Sequence, residues 1–418
     1  MFHGSIRAHA AFAKHTVRVH NVCMWKLFGK RRVYLDHASA APVLPAAISA
    51  MREAEALSGN PGAIHAEGVA AKRALEDARI QIAGVLGCKS RGVIITSGLT
   101  EANNLAILGF ARAQERARRG LSGTHWLVSS IEHTSVLQCF AEIERMGGTV
   151  SYIEPDERGI ILPEAVRTAL RPETVFVSVG WANNETGILQ PLADIARVLR
   201  TYGSGKGSSI IFHADGGQAP LYSATSVHSL GVDLLCIGSN KLYGPHGIGC
   251  MYVSDRTHLA PIILGGAQER GLRAGTESVA LAAGFAAAFK IVAGERERES
   301  KRLKKLRDSF ADELLEKIPG LVVNGDLERA LPHMLNISIP PADWRTSEYL
   351  TLALDHASVA VSTKSACQEG EKASHVVKAL GGAQWRSENT IRFSLGRETT
   401  ALELKKTIHT LQALIAKK

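Results

Sequence analysis

The sequence lacks the features that mark membrane-spanning, disulfide-bonded and zinc-binding proteins. No apolar stretch reaches the roughly 20 residues that a membrane span requires. The six cysteines are scattered without a CxxC pair, which argues against a disulfide framework and a zinc site and favours a reducing compartment. They are Cys23, Cys88, Cys139, Cys236, Cys250 and Cys367. We therefore expect neither a metal nor a membrane partner.

The remaining composition is that of a globular protein. A chain of 418 residues can form two domains with a core each. A hydrophobic content of 45% and a mean hydropathy of +0.01 indicate a soluble folded chain. The net charge of +9 could indicate binding of nucleic acid. However, part of the basic excess lies in residues 294–307, where Glu and Arg alternate as on a solvated helix face. A direct nucleic-acid partner is therefore not expected.

Apolar runs alternate with helix-period segments from about residue 90 to 255. The runs that predict strands are 92–96, 126–129, 150–153, 175–179, 210–213, 234–237 and 249–253. The predicted helices between them lie near 99–118, 134–147, 163–170 and 191–202. This alternation predicts an α/β fold with a mostly parallel seven-stranded sheet covered on both faces. Ligands of such sheets bind beyond the carboxyl ends of the strands.

A smaller α+β domain is predicted after this region. Its elements are one or two long helices within 276–317, strands at 322–323, 335–339 and 391–395, and helices near 346–356, 372–380 and 400–416. The predicted organisation is a basic extension (1–32), a large domain (33–285) and a small domain (286–418). Residues 33–50 are alternatively part of the small domain.

Lys241 lies in the run Ser239–Gly249, which is too rich in glycine and proline for a helix. About 26 residues upstream, the apolar run that begins at Ser209 ends at Asp215. A lysine that can form a Schiff base, together with an acid at a strand end, suits a pyridoxal-phosphate site. The alternative is an ordinary surface lysine, but the paired acid favours the cofactor.

The run Gly98-Leu99-Thr100 follows a predicted strand and opens a predicted helix. Free N–H groups and the helix dipole meet there, so that the run is a candidate phosphate site to which Thr100 adds a hydroxyl. A simple helix N-cap is the alternative.

Several sequence blocks occur together in a fixed order. They are 33–36 (VYLD), 96–104 (TSGLTEANN), 132–133 (EH), 183–187 (NNETG), 268–276 (QERGLRAGT), 365–367 (SAC) and 391–397 (IRFSLGR). Together with Lys241 they resemble the cysteine desulfurases of the class V aminotransferase family, and the match runs from Val33 to about Lys418. The resemblance implies the type I fold of pyridoxal-phosphate-dependent transferases.

The resemblance also implies cofactor contacts. Lys241 would carry the cofactor and act as the general base. Asp215 would pair with the pyridine nitrogen and Gln218 with the phenolic oxygen. His133 would stack on the ring and assist proton transfer, although a lone histidine is usually structural.

Further implied contacts concern the phosphate and the substrate. Leu99 and Thr100 would bind the phosphate, and Thr276 would reach the phosphate of the neighbouring subunit, which implies a homodimer with composite sites. Asn184, beside the cofactor, and Arg392 are matched to ligands of the substrate carboxylate. A guanidinium suits a carboxylate because it offers two parallel donors; a surface ion pair is the alternative for Arg392.

The chain departs from the family pattern at a few positions. The usual Ser-x-His-Lys is Gly238-Ser239-Asn240-Lys241 here, so that Ser239 or the Asn240 amide would replace the missing phosphate ligands. Gly217 stands where threonine is common. Residues 36–40 depart from the usual Asn-Ala-Ala-Thr.

Cys367 indicates the type of reaction. It is the one cysteine in a polar loop of small residues, 362–370, whereas a buried thiol is the default for the others outside the N-terminal tail. A thiol of ordinary pKa is only about 3% thiolate at pH 7, so that Lys364 or the substrate-bound cofactor would have to help ionise it. A mobile loop would let Cys367 collect sulfur in the cleft and release it outside.

The predicted function is therefore that of a cysteine desulfurase. L-Cysteine would give L-alanine and a persulfide on Cys367, and the sulfur would pass to iron–sulfur scaffold proteins or to tRNA-thiolation proteins. The alternatives are a selenocysteine lyase with the same residues, an aminotransferase in which Cys367 has no role, and a cofactor-poor relative that is not an enzyme.

Residues 1–32 contain no Asp or Glu and carry only basic charges. This bias resembles a mitochondrial transit peptide, but the segment is poor in serine and a second methionine, Met24, lies close to the start of the family match. We prefer an over-extended start site and expect a cytoplasmic protein, with a mitochondrial location as the alternative.

Overall fold

The computed structural model describes residues 32–118, 120–204, 209–342, 346–363 and 373–416. The strands are β1 (Val33–Tyr34), β2 (Val93–Thr96), β3 (His125–Ser129), β4 (Thr149–Ile153), β5 (Thr174–Ser178), β6 (Ile211–Asp215), β7 (Leu234–Gly238), β8 (Gly249–Val253), β9 (Val322–Val323), β10 (Met334–Ser338), β11 (Val359–Ala360) and β12 (Thr390–Ser394). The helices are α1 (Pro45–Glu55), α2 (Ala66–Leu86), α3 (Leu99–Arg118), α4 (Thr134–Arg145), α5 (Pro163–Ala169), α6 (Leu192–Ser204), α7 (Val227–Leu230), α8 (Val279–Lys317), α9 (Ser347–His356), α10 (His375–Ala379), α11 (Trp385–Glu388) and α12 (Ala401–Ala416). The extension predicted for 1–32 lies outside the described residues, apart from Arg32.

Strands β2 to β8 form the central sheet, in the order β2-β8-β7-β6-β5-β3-β4. Strand β8 runs antiparallel to both of its neighbours, and the other pairs are parallel. The predicted seven-stranded, mostly parallel sheet is therefore confirmed, and each strand lies within two residues of its predicted bounds.

Apolar layers cover both faces of this sheet. Neighbouring residues of a strand point to opposite faces and therefore belong to different layers. In β5, Phe176 packs with Leu105 of α3 and Phe140 of α4. The next residue, Val177, belongs to a second apolar cluster, which contains residues of α2, α6 and α8. These two layers explain why the strands read as nearly continuous apolar runs. Helices α1 and α2 precede the region in which the alternating pattern predicts elements.

The C-terminal part contains a three-stranded antiparallel sheet in the order β12-β10-β9. Strand β1, at the start of the described chain, pairs in parallel with β11. Leu35 accordingly shares an apolar cluster with Phe310 and Phe393. The segment after β1 is thereby fixed against β12, beside the end of the large sheet.

Helix α8 connects the two regions. It is one helix of 39 residues, about 58 Å long, where the pattern predicts one or two. Phe285 and Phe289 pack into the core of the large sheet, and Phe310 and Leu314 pack into the C-terminal core. The domain boundary at residues 285/286 falls inside this helix and stays a prediction. None of the helices in the described ranges combines the length and the apolar character of a membrane span.

A buried ion pair fastens the turn Gln268–Gly271 to the edge of the sheet. The guanidinium of Arg79 donates to both carboxylate oxygens of Glu269, at 2.6 and 2.7 Å, and Ile95 N donates to Glu269 Oε2 at 2.8 Å. Glu269 and Arg270 have φ of +46° and +61°, in the left-handed region. The ion pair therefore stabilises a strained turn at the start of the run that carries Thr276.

We expect E269Q to lower the free energy of unfolding by about 3 kcal/mol, because it leaves the buried Arg79 without its counter-charge. Urea denaturation of the cofactor-free protein measures this loss. D255N is the control: it breaks the Arg91–Asp255 pair, whose side chains are 58% and 69% exposed, and should leave the urea midpoint unchanged. Equal midpoints for E269Q and the unmodified chain would contradict the role of the ion pair.

His37 is buried between aromatic rings. Its ring centroid lies 4.9 Å from that of Tyr34 and 6.0 Å from that of Tyr243. A Cβ on Gly396 would lie only 2.1 Å from His37 Nε2, so that the ring fits because residue 396 is glycine. Burial lowers the pKa of His37 to about 4.

This lowered pKa predicts a pH dependence of stability. Between pH 6.5 and 4 the unfolded chain binds a proton at His37 and the folded chain does not, so that stability falls as the pH is lowered. The loss from pH 6.5 to 5 is about 2 kcal/mol for this one group. In H37N the free energy of unfolding should fall by about 2 kcal/mol less than in the unmodified chain between pH 6.5 and 5. Urea unfolding at both pH values measures this difference. Parallel curves for the two proteins would refute the assignment.

Candidate active site

A cavity of about 380 Å³ opens beyond the carboxyl ends of the parallel strands. Nine of the residues predicted for the site line it: Leu99, Thr100, His133, Asn184, Asp215, Gln218, Asn240, Lys241 and Arg392. Ser239 and Thr276 do not line the cavity. The loops that follow β2, β3, β5, β6 and β7 supply most of its walls, as expected for a parallel sheet.

Lys241 ends a short turn, Ser239–Lys241, that follows β7. Its Nζ donates to the carbonyl oxygens of Ala38, at 2.7 Å, and Ser39, at 3.3 Å. The Ala38 carbonyl also accepts from Gln218 Nε2 at 2.9 Å. One carbonyl in the segment after β1 therefore positions two of the side chains predicted to face the cofactor.

Asp215 is the last residue of β6, and two donors hold its carboxylate. Gly217 N donates to Oδ1 and Asn103 Nδ2 donates to Oδ2, each at 2.7 Å. Gln218 Oε1 and Asn103 Oδ1 are buried acceptors with no hydrogen-bond partner among the described residues. Asn103 belongs to the block 96–104, but its contact with Asp215 is visible only in the structure.

These groups fit pyridoxal phosphate. The amine of Lys241 suits its aldehyde, the carboxylate of Asp215 suits its pyridine nitrogen, and the start of α3 offers N–H groups to its phosphate. The unpartnered Gln218 Oε1 marks a polar position that a ligand can satisfy. Across the described ranges, no cluster of His, Cys, Asp and Glu is suited to a metal ion.

His133 caps the N-terminus of α4. Its Nδ1 accepts from Ser135 N at 3.1 Å, so that the proton of the neutral ring is on Nε2. Desolvation lowers the pKa of His133, and the charges of Lys241 and Arg392 lower it further. The ring is therefore neutral near pH 7 and able to accept or donate a proton.

Glu132 precedes this histidine and is buried under the cavity wall. Gly180 N donates to Glu132 Oε1 at 2.7 Å. Burial raises the pKa of Glu132 to about 8, and the charge of Asp215 adds to the effect. Much of this carboxyl group is therefore neutral at pH 7.

Arg392, on β12, already has polar partners. Nη2 donates to Asp36 Oδ1 at 2.9 Å and to Ser39 Oγ at 2.7 Å, and Nη1 donates to the main-chain oxygen of Asn184 at 2.7 Å. Nε is buried without a hydrogen-bond partner among the described residues. A substrate carboxylate would thus share the guanidinium with Asp36. Asn184 holds the guanidinium through its carbonyl, which the sequence pattern alone did not indicate.

Cys367 and Lys364 lie outside the described residues, whose nearest positions are Thr363 and Ala373. On one side, Ser362 and Arg392 exchange main-chain hydrogen bonds of 3.2 and 2.6 Å. On the other side, Ser374 Oγ donates to Glu185 Oε2 at 2.5 Å. Ser362 and Ser374 are therefore both bonded to residues at or next to the cavity wall.

The four cysteines among the described residues are poor nucleophiles. Burial raises the pKa of Cys88 to about 11 and that of Cys139 to about 12. Burial also raises the pKa of Cys236 and Cys250 well above the usual range. Because the thiolate is the reactive form, these four thiols are inert near neutral pH.

Known proteins resemble this chain over nearly its whole length. The sequence model described as Aminotransferase class-V matches residues 33–406. The cysteine desulfurase IscS of Dictyoglomus turgidum is 36% identical over 93% of this chain and 95% of its own length. A protein named putative cysteine desulfurase IscS 1, from Bacillus subtilis, is 37% identical over 90% of this chain and 96% of its own.

Solved structures agree with these matches. A NifS-like protein superposes with a TM-score of 0.84 at 28% identity, over 92% of this chain and all (100%) of that chain. The structure titled SspA in complex with cysteine gives a TM-score of 0.74 at 30% identity, over 87% of this chain and 98% of that chain. The chain belongs to the class V aminotransferase family, whose members depend on pyridoxal phosphate. Within it, the chain belongs with the cysteine desulfurases of the IscS and NifS type.

We expect K241A to lose all covalently bound cofactor, since no other lysine lines the cavity within the described ranges. Borohydride reduction, denaturation and mass spectrometry of peptides should locate the cofactor on Lys241 in the unmodified chain. K301A is the control, because Lys301 is 76% exposed and pairs with Glu297 on the surface of α8. Cofactor retained on denatured K241A would contradict the assignment.

Proposed function

We propose that this protein is a pyridoxal-phosphate-dependent cysteine desulfurase, which converts L-cysteine to L-alanine and passes the sulfur to acceptor proteins. One observation carries the proposal. Lys241, Asp215, His133 and Arg392 meet around one cavity, in a chain 36% identical over nearly its full length to a cysteine desulfurase.

Pyridoxal phosphate, when bound, supplies an aldehyde that holds an amine and a ring that accepts electrons. Asp215 would keep a proton on the ring nitrogen, and the two donors that hold its carboxylate fix its orientation. The amine of Lys241 holds the cofactor and, once released, moves a proton at the α-carbon of the substrate. The neutral ring of His133 provides a second proton carrier beside it.

Arg392 is the cation suited to the substrate carboxylate, and its side chain is only 2% exposed. In these buried surroundings an ion pair with the substrate is strong, but it must replace hydrogen bonds that Arg392 already makes within the protein. Asp36 and Asn184 keep the guanidinium in one orientation before any ligand arrives. Amino acids without a free carboxylate should therefore be poor ligands.

The sulfur step is assigned to Cys367. Its thiolate attacks the sulfur of the substrate; the S–S bond forms while the C–S bond breaks, and the carbon keeps the electron pair. Protonation of that carbon gives L-alanine, and the sulfur remains on the enzyme as a persulfide. The inertness of the other four described thiols supports this choice.

A homodimer with composite sites is part of the proposal. Thr276 is exposed and lies outside its own cavity, as expected of a residue that serves a neighbouring subunit. Leu264 and its neighbour Ile263, in the same connection between β8 and α8, are 75% and 42% exposed, and a neighbouring subunit would cover them. We also propose a cytoplasmic location, which fits the four free thiols among the described residues.

C367S tests the function most directly. A serine hydroxyl is far less acidic and less nucleophilic than a thiol, so that formation of alanine and sulfide from L-cysteine should fall at least about a hundredfold. The variant should still bind the cofactor and change its absorbance when L-cysteine is added. C88S, at a partly buried thiol away from the cavity, is the control and should keep its activity. Desulfuration by C367S at the rate of C88S would overturn the assignment.

A further inference from the structure

Leu99, the first residue of α3, faces two glycines at the phosphate end of the cavity. Gly217 follows β6, and Gly238 ends β7. A Cβ on Gly217 would lie 2.7 Å from Leu99 Cδ2 and 3.0 Å from Asp215 Oδ1. A Cβ on Gly238 would lie 3.1 Å from both Leu99 Cβ and Asn240 Oδ1. The Leu99 side chain thus fills the space that a side chain at 217 would need, whereas the Cβ of residue 99 and the Asn240 carboxamide crowd position 238.

Glycine is favoured at positions 217 and 238 because a Cβ would crowd its neighbours, and not because the backbone is in a left-handed conformation. Gly238 has φ −105° and ψ 131°, values that any residue adopts. Gly217 is not among the glycines with positive φ. By contrast, a Cβ on Gly84 in α2 would meet no atom within 4 Å. The crowding at 217 and 238 is therefore a local property of the cavity wall.

This packing leaves few side-chain donors for a phosphate. The family resemblance puts hydroxyl residues at both positions, threonine at 217 and serine at 238, and both hydroxyls are missing here. Ser239 does not replace them: it lies outside the cavity, and its Oγ would be 2.2 Å from a Cβ on Gly244. Polar groups that line the cavity near Leu99 include the N–H groups of the 98–100 turn, the Thr100 hydroxyl and the Asn240 carboxamide.

We propose that Leu99 and Gly217 form a compensating pair beside Gly238, in which the leucine side chain fills the space of the missing threonine at 217. The phosphate of the cofactor is then held by the main chain at the start of α3, by Thr100 and by Asn240. The inference rests on the proposed use of pyridoxal phosphate. Restoring a side chain at 217 or 238 must displace Leu99, Asp215 or Asn240, and all three line the cavity.

The test is a double-mutant cycle on the full-length protein, with G217T, L99A and G217T/L99A. The dissociation constant of pyridoxal phosphate is measured by absorbance and compared with that of pyridoxal, which has no phosphate. G217T should weaken binding of the phosphorylated cofactor about tenfold or more, because the threonine collides with Leu99. In the L99A background the same threonine should cause less than about a threefold loss, so that the two effects are not additive. G238S is a control for this rescue: its Cβ would meet the Cβ of residue 99, which alanine keeps, so that L99A should not relieve it.

N240A separates the phosphate contact from the packing. N240A should raise the dissociation constant of pyridoxal phosphate several-fold and leave the dissociation constant of pyridoxal unchanged. G84S adds a side chain where there is room and should bind both compounds like the unmodified protein. L108A removes a partly buried leucine elsewhere on α3 and should not rescue G217T.

Two results would overturn the inference: G217T binding pyridoxal phosphate as tightly as the unmodified protein, or losses in G217T/L99A that equal the sum of the single losses. Failure of the proposed function has a different outcome, in which the unmodified protein binds no pyridoxal phosphate. The thermal midpoints of the cofactor-free variants still test the packing in that case. G217T should lower the midpoint, and L99A should remove much of that decrease.

Discussion

The turn at residues 36–39 connects the parts of the candidate site. Its carbonyl oxygens accept from Lys241, and Asp36 and Ser39 hold the guanidinium of Arg392. The turn is itself fixed, because Ala38 N donates to Ser394 Oγ at 2.9 Å and strand β1 pairs with β11. Lys241, which follows a strand of the large sheet, and Arg392, on a strand of the small sheet, are therefore both held by the 36–39 turn. Displacement of this turn would disturb both groups together.

Parallel strands explain why the other residues converge. Strands β3, β5, β6 and β7 end at the same edge, so that the residues after each strand reach one cavity although they are far apart in sequence. The antiparallel strand β8 lies between β2 and β7. This arrangement places the start of α3 beside the Lys241 turn, where Leu99 meets Gly238.

Burial favours the neutral forms of two groups in the site, the carboxyl group of Glu132 and the imidazole of His133. Glu132 and Asp215 both border the cavity; desolvation raises the pKa of Glu132, and two donors hold the carboxylate of Asp215 in place. The pKa of His133 is lowered because it is desolvated beside cations. At neutral pH the largely neutral carboxyl group of Glu132 and the neutral imidazole of His133 thus lie beside Asp215, Arg392 and Lys241, a pattern suited to proton transfer around a bound amino acid.

The sequence by itself determined the order of the elements, the mostly parallel sheet and most of the site residues, because apolar periodicity and short motifs are local properties. Only the tertiary structure decided which atoms meet. Arg392 and Asp36 are separated by 356 positions in the chain, and no local pattern predicts that pair. Likewise, the sequence left Ser239 and Asn240 as equal candidates for the phosphate. In the structure Asn240 lines the cavity and Ser239 does not, since side-chain direction depends on contacts between distant segments.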